Sequence, residues 1–280
     1  MKRRTAWSWL VACLCTVSAW GGEIRIAGSD LLGEAWAQAI RECAVRHRAE
    51  LRLHLDGSRS GWKDVLAGRA DLGVVSFATE AETVPDEFER LPLAYHVITA
   101  AARPELALQS LSIEQLAVVF GDRTEKTPWA GHLWLGDSDH TAELVRGLLL
   151  SGHALHATVR WHRSAPELQA TLPGTPAIVL LPGLDTGKLE LRPLALQRTA
   201  DEAGVLPMPE SVHAGTYPLR LPVWLVFRRV ATPALFPCLR LLLSDESAAA
   251  LTRARLVPVP RAARQEAVFA VEARIAQTQK

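Results

Sequence analysis

Gly57-Ser58-Arg59-Ser60-Gly61-Trp62, running on to Ala67-Gly68-Arg69-Ala70-Asp71-Leu72-Gly73-Val74-Val75, decides how this chain is read. Just before it, Leu51, Leu53 and Leu55 alternate with Arg52 and His54, the period of a strand with one wetter face. Trp62 to Ala67 reads as a short helix, and Leu72 to Val75 as a strand. The stretch is therefore strand, glycine- and serine-rich loop, helix, strand. In an open parallel α/β sheet such a loop lies at the carboxyl end of its strand, where ligands bind. Glycine lets backbone approach a ligand, hydroxyls donate, and the helix start presents unpaired N–H groups carrying partial positive charge.

The same alternation extends on both sides. Upstream, Ile24 and Ile26 mark a strand. A helix from Leu31 to about His47 follows, with Leu32, Ala35, Trp36, Ala39, Ile40 and Cys43 at the helical period. Downstream, Leu93 to Ala102 is strand-like, and Ser112-Ile113-Glu114-Gln115 is a capping box opening a helix through Phe120. Then come a strand at His132 to Leu135, a helix at Thr141 to Leu150 and a strand at Ala157 to Trp161. A second capping box, Ser164 with Glu167, precedes a helix to Leu172, and Ala177 to Leu181 is a strand. The last third holds a long strand, Leu219 to Arg228, and helices near Phe236–Leu243 and Asp245–Arg253. The β-α-β-α order predicts an α/β protein of two lobes, each a mixed, mainly parallel sheet flanked by helices.

Two further strand-to-helix junctions share the composition of the first: Gly28-Ser29-Asp30, and Gly136-Asp137-Ser138-Asp139-His140-Thr141. Any one of them is satisfied by ordinary helix capping. Three together, spread over both lobes, point to a ligand cleft that holds an oxyanion. The expected ligand-binding donors of these loops are Ser29, Ser58, Ser138 and Thr141, with Trp62 placed to line the cleft.

The chain resembles the phosphate-binding subunits of bacterial ABC transporters, a family of two-lobed periplasmic binding proteins of the type II superfamily. Gly28-Ser29-Asp30 before Ala35-Trp36-Ala37 is similar to the family's opening loop, and residues 57–73 resemble its G-S-G-x-G…G-x-x-D-[FI]-G signature. Leu111-Ser112, Gln115-Leu116, Val119-Phe120-Gly121 and Trp129 are similar to its L-S-x-x-Q-L-x-x-I-F-x-G segment and following Trp. Gly215-Thr216-Tyr217-Pro218-Leu219 matches G-x-Y-P-L, and Leu241 to Ser244 with Leu256 to Pro260 resemble its closing helix and tail. The resemblance implies capture of a small oxyanion, phosphate by default, by a monomer with no cofactor. Closure would occur at two hinge crossings, near Tyr95–Ala100 and Tyr217–Leu221, with delivery to an inner-membrane permease. It implies lobe I at residues 22–97 plus 222–280 and lobe II at 98–221.

The third loop departs from the family pattern. R-x-x-G-S-G-T is replaced by Leu133 to Thr141, which contains no arginine, and Asp137 and Asp139 would repel a dianion. The family's residues after D-[FI]-G are replaced around Ser76-Phe77, where the resemblance implies Ser76 as a ligand-binding donor, and the arginine after Y-P-L-x is Leu221, with Arg220 beside it. Losing a bidentate arginine removes a strong oxyanion contact. Arg59, where the family has glycine, is either the substitute charge or a solvated surface residue. The second reading of the sequence is thus a binding-protein fold that serves as a sensory or interaction module, with another ligand or none.

The chain's start reads as an export signal, residues 1–21. Lys2, Arg3 and Arg4 precede a mostly apolar run from Thr5 to Val17, and Val17-Ser18-Ala19 or Ala19-Trp20-Gly21 offers a cleavage site. Leu10-Val11-Ala12-Cys13 also matches a lipoprotein box that would acylate Cys13. The expected location is the periplasm. Removing the three signal cations from the 31 basic residues leaves 28 against 30 acidic ones, a net charge of −2. That balance offers no footprint for nucleic acid or an anionic membrane. Cys43 and Cys238 remain, each on the apolar stripe of a helix, either as buried thiols or as a disulfide.

Two other chemistries fit poorly. His153, His156 and His162 cluster in sequence without a Cys or paired carboxylate to complete a metal site. Asp137-Ser138 with His140 or His213 suggests a serine hydrolase, but no G-x-S-x-G elbow exists, and a Ser and His two residues apart cannot readily pair on one helix start. Neither a metal nor catalysis is expected.

Overall fold

The computed structural model describes residues 23–76, 84–121, 126–135, 140–174 and 176–278. The N-terminal stretch with Cys13, Phe77, and the Gly136–Asp139 segment that holds Ser138 lie outside them. In chain order the elements are β1 (Ile24–Gly28), α1 (Gly33–Arg46), β2 (Leu51–His54), α2 (Ser58–Leu66), β3 (Leu72–Ser76), β4 (Phe88–Ala102), β5 (Ser110–Ser112), α3 (Ile113–Phe120), β6 (Ala130–Trp134) and α4 (His140–Leu148). They continue with β7 (Arg160–His162), α5 (Ala165–Thr171), β8 (Ala177–Pro182), β9 (Arg192–Pro193), β10 (Ala195–Gln197), α6 (Pro209–His213), β11 (Arg220–Arg228), α7 (Thr232–Leu242), α8 (Asp245–Arg253), β12 (Val257–Pro258) and α9 (Arg261–Thr278).

The main sheet runs β2-β1-β3-β11-β4-β8-β6-β7, and β4 is shared by its two halves. Residues 88–97 of β4 pair antiparallel with β11, while residues 98–102 pair with β8 and β9. β1 runs parallel to β2 and β3, and β6 runs parallel to β7 and β8. Each half is therefore a mixed sheet with a parallel βαβ portion, the two-lobed arrangement expected from the alternation. At the change of partner, Arg220 lies opposite Val97, the Ile98 N–H donates to Leu219 O, and the buried Tyr217 hydroxyl donates to Ile98 O.

Strand alternation sorts the core. In the first half Ile26, Leu72, Val74, Val223, Leu225 and Phe227 face α1 and α7, meeting Leu32, Trp36, Ile40, Leu235 and Leu239. Val75, Val226 and Phe88 form a cluster with Val65 of α2. In the second half Ile98, Ala100, Leu133, Ile178 and Leu180 cluster with Leu116 and Phe120 of α3 and Val145 of α4. Val179 and Leu181 cluster instead with Leu168 of α5.

Several elements differ from expectation for local reasons. α2 starts at Ser58 rather than Trp62, because the Gly61 N–H to Gly57 O bond already closes a turn. The strand expected at Ala157–Trp161 is displaced to β7, since His156 to Val159 forms a turn. The box at Ser112 forms in full, with reciprocal Ser112–Gln115 bonds. The one at Ser164 does not: its side chain makes no cap bond, and Glu167 lies instead within 3.6 Å of His162 Nδ1. α9 had no counterpart in the sequence reading. Among the described residues no helix is long and apolar enough to cross a membrane.

Candidate functional site

The first half of the site is held by backbone contacts. Gly28 ends β1 so close to β3 that a Cβ there would lie 1.9 Å from Val74 O, and a Cβ on Gly61 would lie 2.5 Å from Gly28 Cα. Only glycine fits either position, so α2 is drawn down onto the end of β1. The Ser29 N–H donates to Val74 O (2.7 Å) and the Gly57 N–H to Gly28 O (2.9 Å). These bonds bring Ser29, Ser58 and Ser76 from three separate elements to one end of the sheet.

Their hydroxyls are in different states. Ser29 is fully buried, and its Oγ accepts from the Leu31 N–H at 3.3 Å, so it caps the short 3-10 turn at Asp30–Leu32. Ser58 Oγ accepts from the Ser76 N–H at 2.9 Å and ties α2 to the end of β3. Ser76 Oγ is buried and has no hydrogen-bond partner among the described residues. Arg59, next along α2, is exposed. Asp71 of the signature is not at this site: it receives bonds from the Arg25 guanidinium and backbone N–H, which hold its carboxyl below the usual carboxylate range.

The second half centres on the start of α4. Thr141, in its first turn, is buried, and its Oγ1 also lacks a partner among the described residues. An unpartnered buried hydroxyl costs on the order of 1–3 kcal/mol, so two of them at expected ligand loops, one in each half, require an explanation. The described residues at these loop ends contribute hydroxyls and backbone N–H groups rather than a buried cation.

The remaining candidates have other roles. Trp62 packs edge-to-face on Phe88 at 5.1 Å under α2, which makes it part of that apolar layer. The Arg220 guanidinium lies over the Tyr95 ring and against Gly215, and the Tyr95 hydroxyl pairs with His213 Nδ1 at 3.0 Å. The three clustered histidines separate: His156 bonds Thr158, His153 is exposed, and His162 stacks on His132 with Nε2 2.9 Å from His132 Nδ1. Burial pushes His132 down to about 4, aided by repulsion from His162 and Arg160, and His162 is lowered for the same first reason.

Cys43 and Cys238 are free, buried thiols in one core, and burial pushes Cys238 up to about 12. Cys43 Sγ donates to Glu246 Oε2 at 3.1 Å, and with His47 these form a group whose ligand atoms lie within 4.8 Å of one another. The other Glu246 oxygen is already paired with Arg46. A cavity of about 870 Å³ lies between Pro182–Asp185 and Thr252–Pro260 and touches none of Ser29, Ser58, Ser76 or Thr141. Of the three buried hydroxyls without a partner among the described residues, Ser247 Oγ lies within α8, while Ser76 Oγ and Thr141 Oγ1 lie at the strand and helix ends that make up the candidate site.

No protein-family model and no curated relative matches the sequence. Solved structures match across nearly the whole chain. A possible phosphate binding protein from Planctomyces limnophilus superposes with a TM-score of 0.70 at 16% identity, covering 92% of this chain and 99% of its own. PstS from Borrelia burgdorferi superposes with a TM-score of 0.64 at 14% identity (85% and 99%). An ABC-type phosphate transport receptor from Vibrio cholerae gives 0.58 at 15% (84% and 99%). The chain shares their two-lobed fold, and these similar proteins are binding and transport receptors.

Proposed function

We propose that the chain is an exported solute-binding protein that closes on a small oxyanion between its two lobes, for an inner-membrane permease, and that it is not an enzyme. The observation that carries this reading is the pair of buried, unpartnered hydroxyls, Ser76 Oγ and Thr141 Oγ1, at loops of opposite halves. Each lies where a strand end or helix start turns donors toward a ligand. Phosphate is the default ligand because the fold is shared with phosphate receptors. Val97/Ile98 on β4 and Leu219/Arg220 at the start of β11, where the chain passes between the halves, would be the hinge.

Calorimetric titration of the chain without its leader, with phosphate, sulfate and other oxyanions, tests the reading. Micromolar binding that weakens about 10-fold or more in Ser58→Ala is expected, the loss of a hydrogen-bonded donor to a charged ligand. Silence across the panel would sink the oxyanion carrier and leave the sensory or interaction module as the working description.

A further inference from the structure

A further buried and unmatched side chain, His96, belongs to none of the three loops. It sits in β4, two residues before Ile98, where the pairing passes from β11 to β8, with Leu221 opposite it. It is 4% exposed, and its Nε2 has no hydrogen-bond partner among the described residues. Alternation places it on the same face of β4 as Ala94, Ile98 and Ala100. Ala94 belongs to the core of Leu32 and Trp36 at the α1 side, while Ile98 and Ala100 belong to the core that α4 joins through Val145. His96 therefore lies where β4 passes from the core reached by α1, which follows the turn capped by Ser29, to the core joined by α4, whose first turn carries Thr141.

His140, the residue before Thr141, is close enough that its charge would repel one on His96. Burial, with that repulsion, pushes the His96 imidazole down to about 4, so at neutral pH the ring is uncharged. A neutral imidazole carries one N–H donor and one acceptor. In an apolar strand it would be a costly choice for packing alone, because its ring nitrogen is desolvated and unmatched.

We propose that His96 is a ligand-contacting residue, its Nε2–H donating to an oxygen of the bound oxyanion from the floor of the cleft. The donor set then comprises the hydroxyls of Ser76 and Thr141 with the imidazole, and the uncharged ring stands at the centre of a site whose third loop has no arginine. This inference rests on the oxyanion reading above.

Three proteins are titrated with inorganic phosphate and melted without it: the natural chain, His96→Phe and His96→Gln. His96→Phe should weaken phosphate binding about 10- to 100-fold, the effect of removing one hydrogen bond to a charged group. Its thermal midpoint without ligand should be unchanged or higher, since an unmatched buried nitrogen has gone. His96→Gln, whose amide nitrogen reaches near the position of Nε2, should recover most of the affinity. If His96→Phe binds phosphate as the natural chain does, the inference is overturned and the oxyanion reading stands. If His96→Phe loses binding and His96→Gln does not restore any of it, the ring is structural and the donor role is overturned. If the natural chain binds neither phosphate nor any other oxyanion of the panel, both readings fall together; if it binds another oxyanion and not phosphate, the three proteins are compared with that anion and the same outcomes decide.

Discussion

The two halves of the cleft hold their polar groups differently. On the β1–β3 side Ser29 Oγ accepts from Leu31, Ser58 Oγ accepts from the Ser76 N–H, and backbone bonds lace the loops together. Of the loop-end hydroxyls there, Ser76 Oγ is left without a partner among the described residues. On the α4 side Thr141 Oγ1 is buried and unmatched, and so is His96 Nε2 on β4, the strand that both halves share. The first half is assembled by its own hydrogen bonds. On the proposed reading its residues serve stability and binding together, whereas Thr141 and His96 carry a cost of burial that a bound oxyanion would offset. That separation is the usual mark of a site kept for function at the expense of the fold.

The contrast can be broken most severely at Gly28. Gly28→Ala places a methyl against Val74 O, where it cannot be relieved by a rotamer change, and should destabilise the protein by about 3 kcal/mol or more in chemical denaturation. A near-neutral result would mean that the first half is not built on that backbone approach.

Acid should act next, and on the second half. His132 and His162 are both held below the ordinary histidine value of 6.5 in the folded protein, His132 near 4. The unfolded chain thus binds more protons between about pH 6.5 and 4, so stability present at neutral pH is lost as pH falls through that window. The loss from His132 should be about 1–3 kcal/mol, with His96 adding in the same direction. Urea melts at pH 7 and 4.5 read it, and His132→Phe should flatten the slope. An unchanged slope in that variant would remove the pair from the account.

Smaller effects separate the hydroxyls. Ser58→Ala leaves the Ser76 N–H without its acceptor and should cost about 1 kcal/mol of stability as well as anion affinity. Thr141→Val, which keeps the shape and removes an unmatched Oγ1, should leave the melting temperature within a degree or two or raise it. Its phosphate affinity should nevertheless fall about 10-fold, as for a lost donor. Equal stability losses in Ser58→Ala and Thr141→Val would erase the distinction between the halves.

Much of this was legible in the sequence because period and punctuation agreed. The Ile24–Ile26 strand, the helix bearing Trp36 and Ile40, and the Ser112–Gln115 box carry their own signals. β4 begins five residues earlier than its apolar run, because Glu89 and Arg90 mask the alternation. Glu89 is buried against Arg274, and Arg90 stacks on Trp224, contacts that only the folded chain supplies. α9 was missed because its core-facing Ala267, Val268, Val271 and Ile275 stand among many charged residues, and its most buried polar residue is Arg264, which donates to the Leu243 and Val259 carbonyls. His96 left one trace, a histidine inside the otherwise apolar run Leu93 to Val97, and that trace is ambiguous until the two neighbouring helices are placed.

The most direct test of the oxyanion site is a crystal structure of the protein grown with phosphate. The account predicts an anion between the lobes, within about 3.2 Å of Ser76 Oγ, Thr141 Oγ1 and His96 Nε2. An anion held instead among Lys188, Arg253 and Arg255 at the large cavity, with those three groups still unmatched, would contradict it.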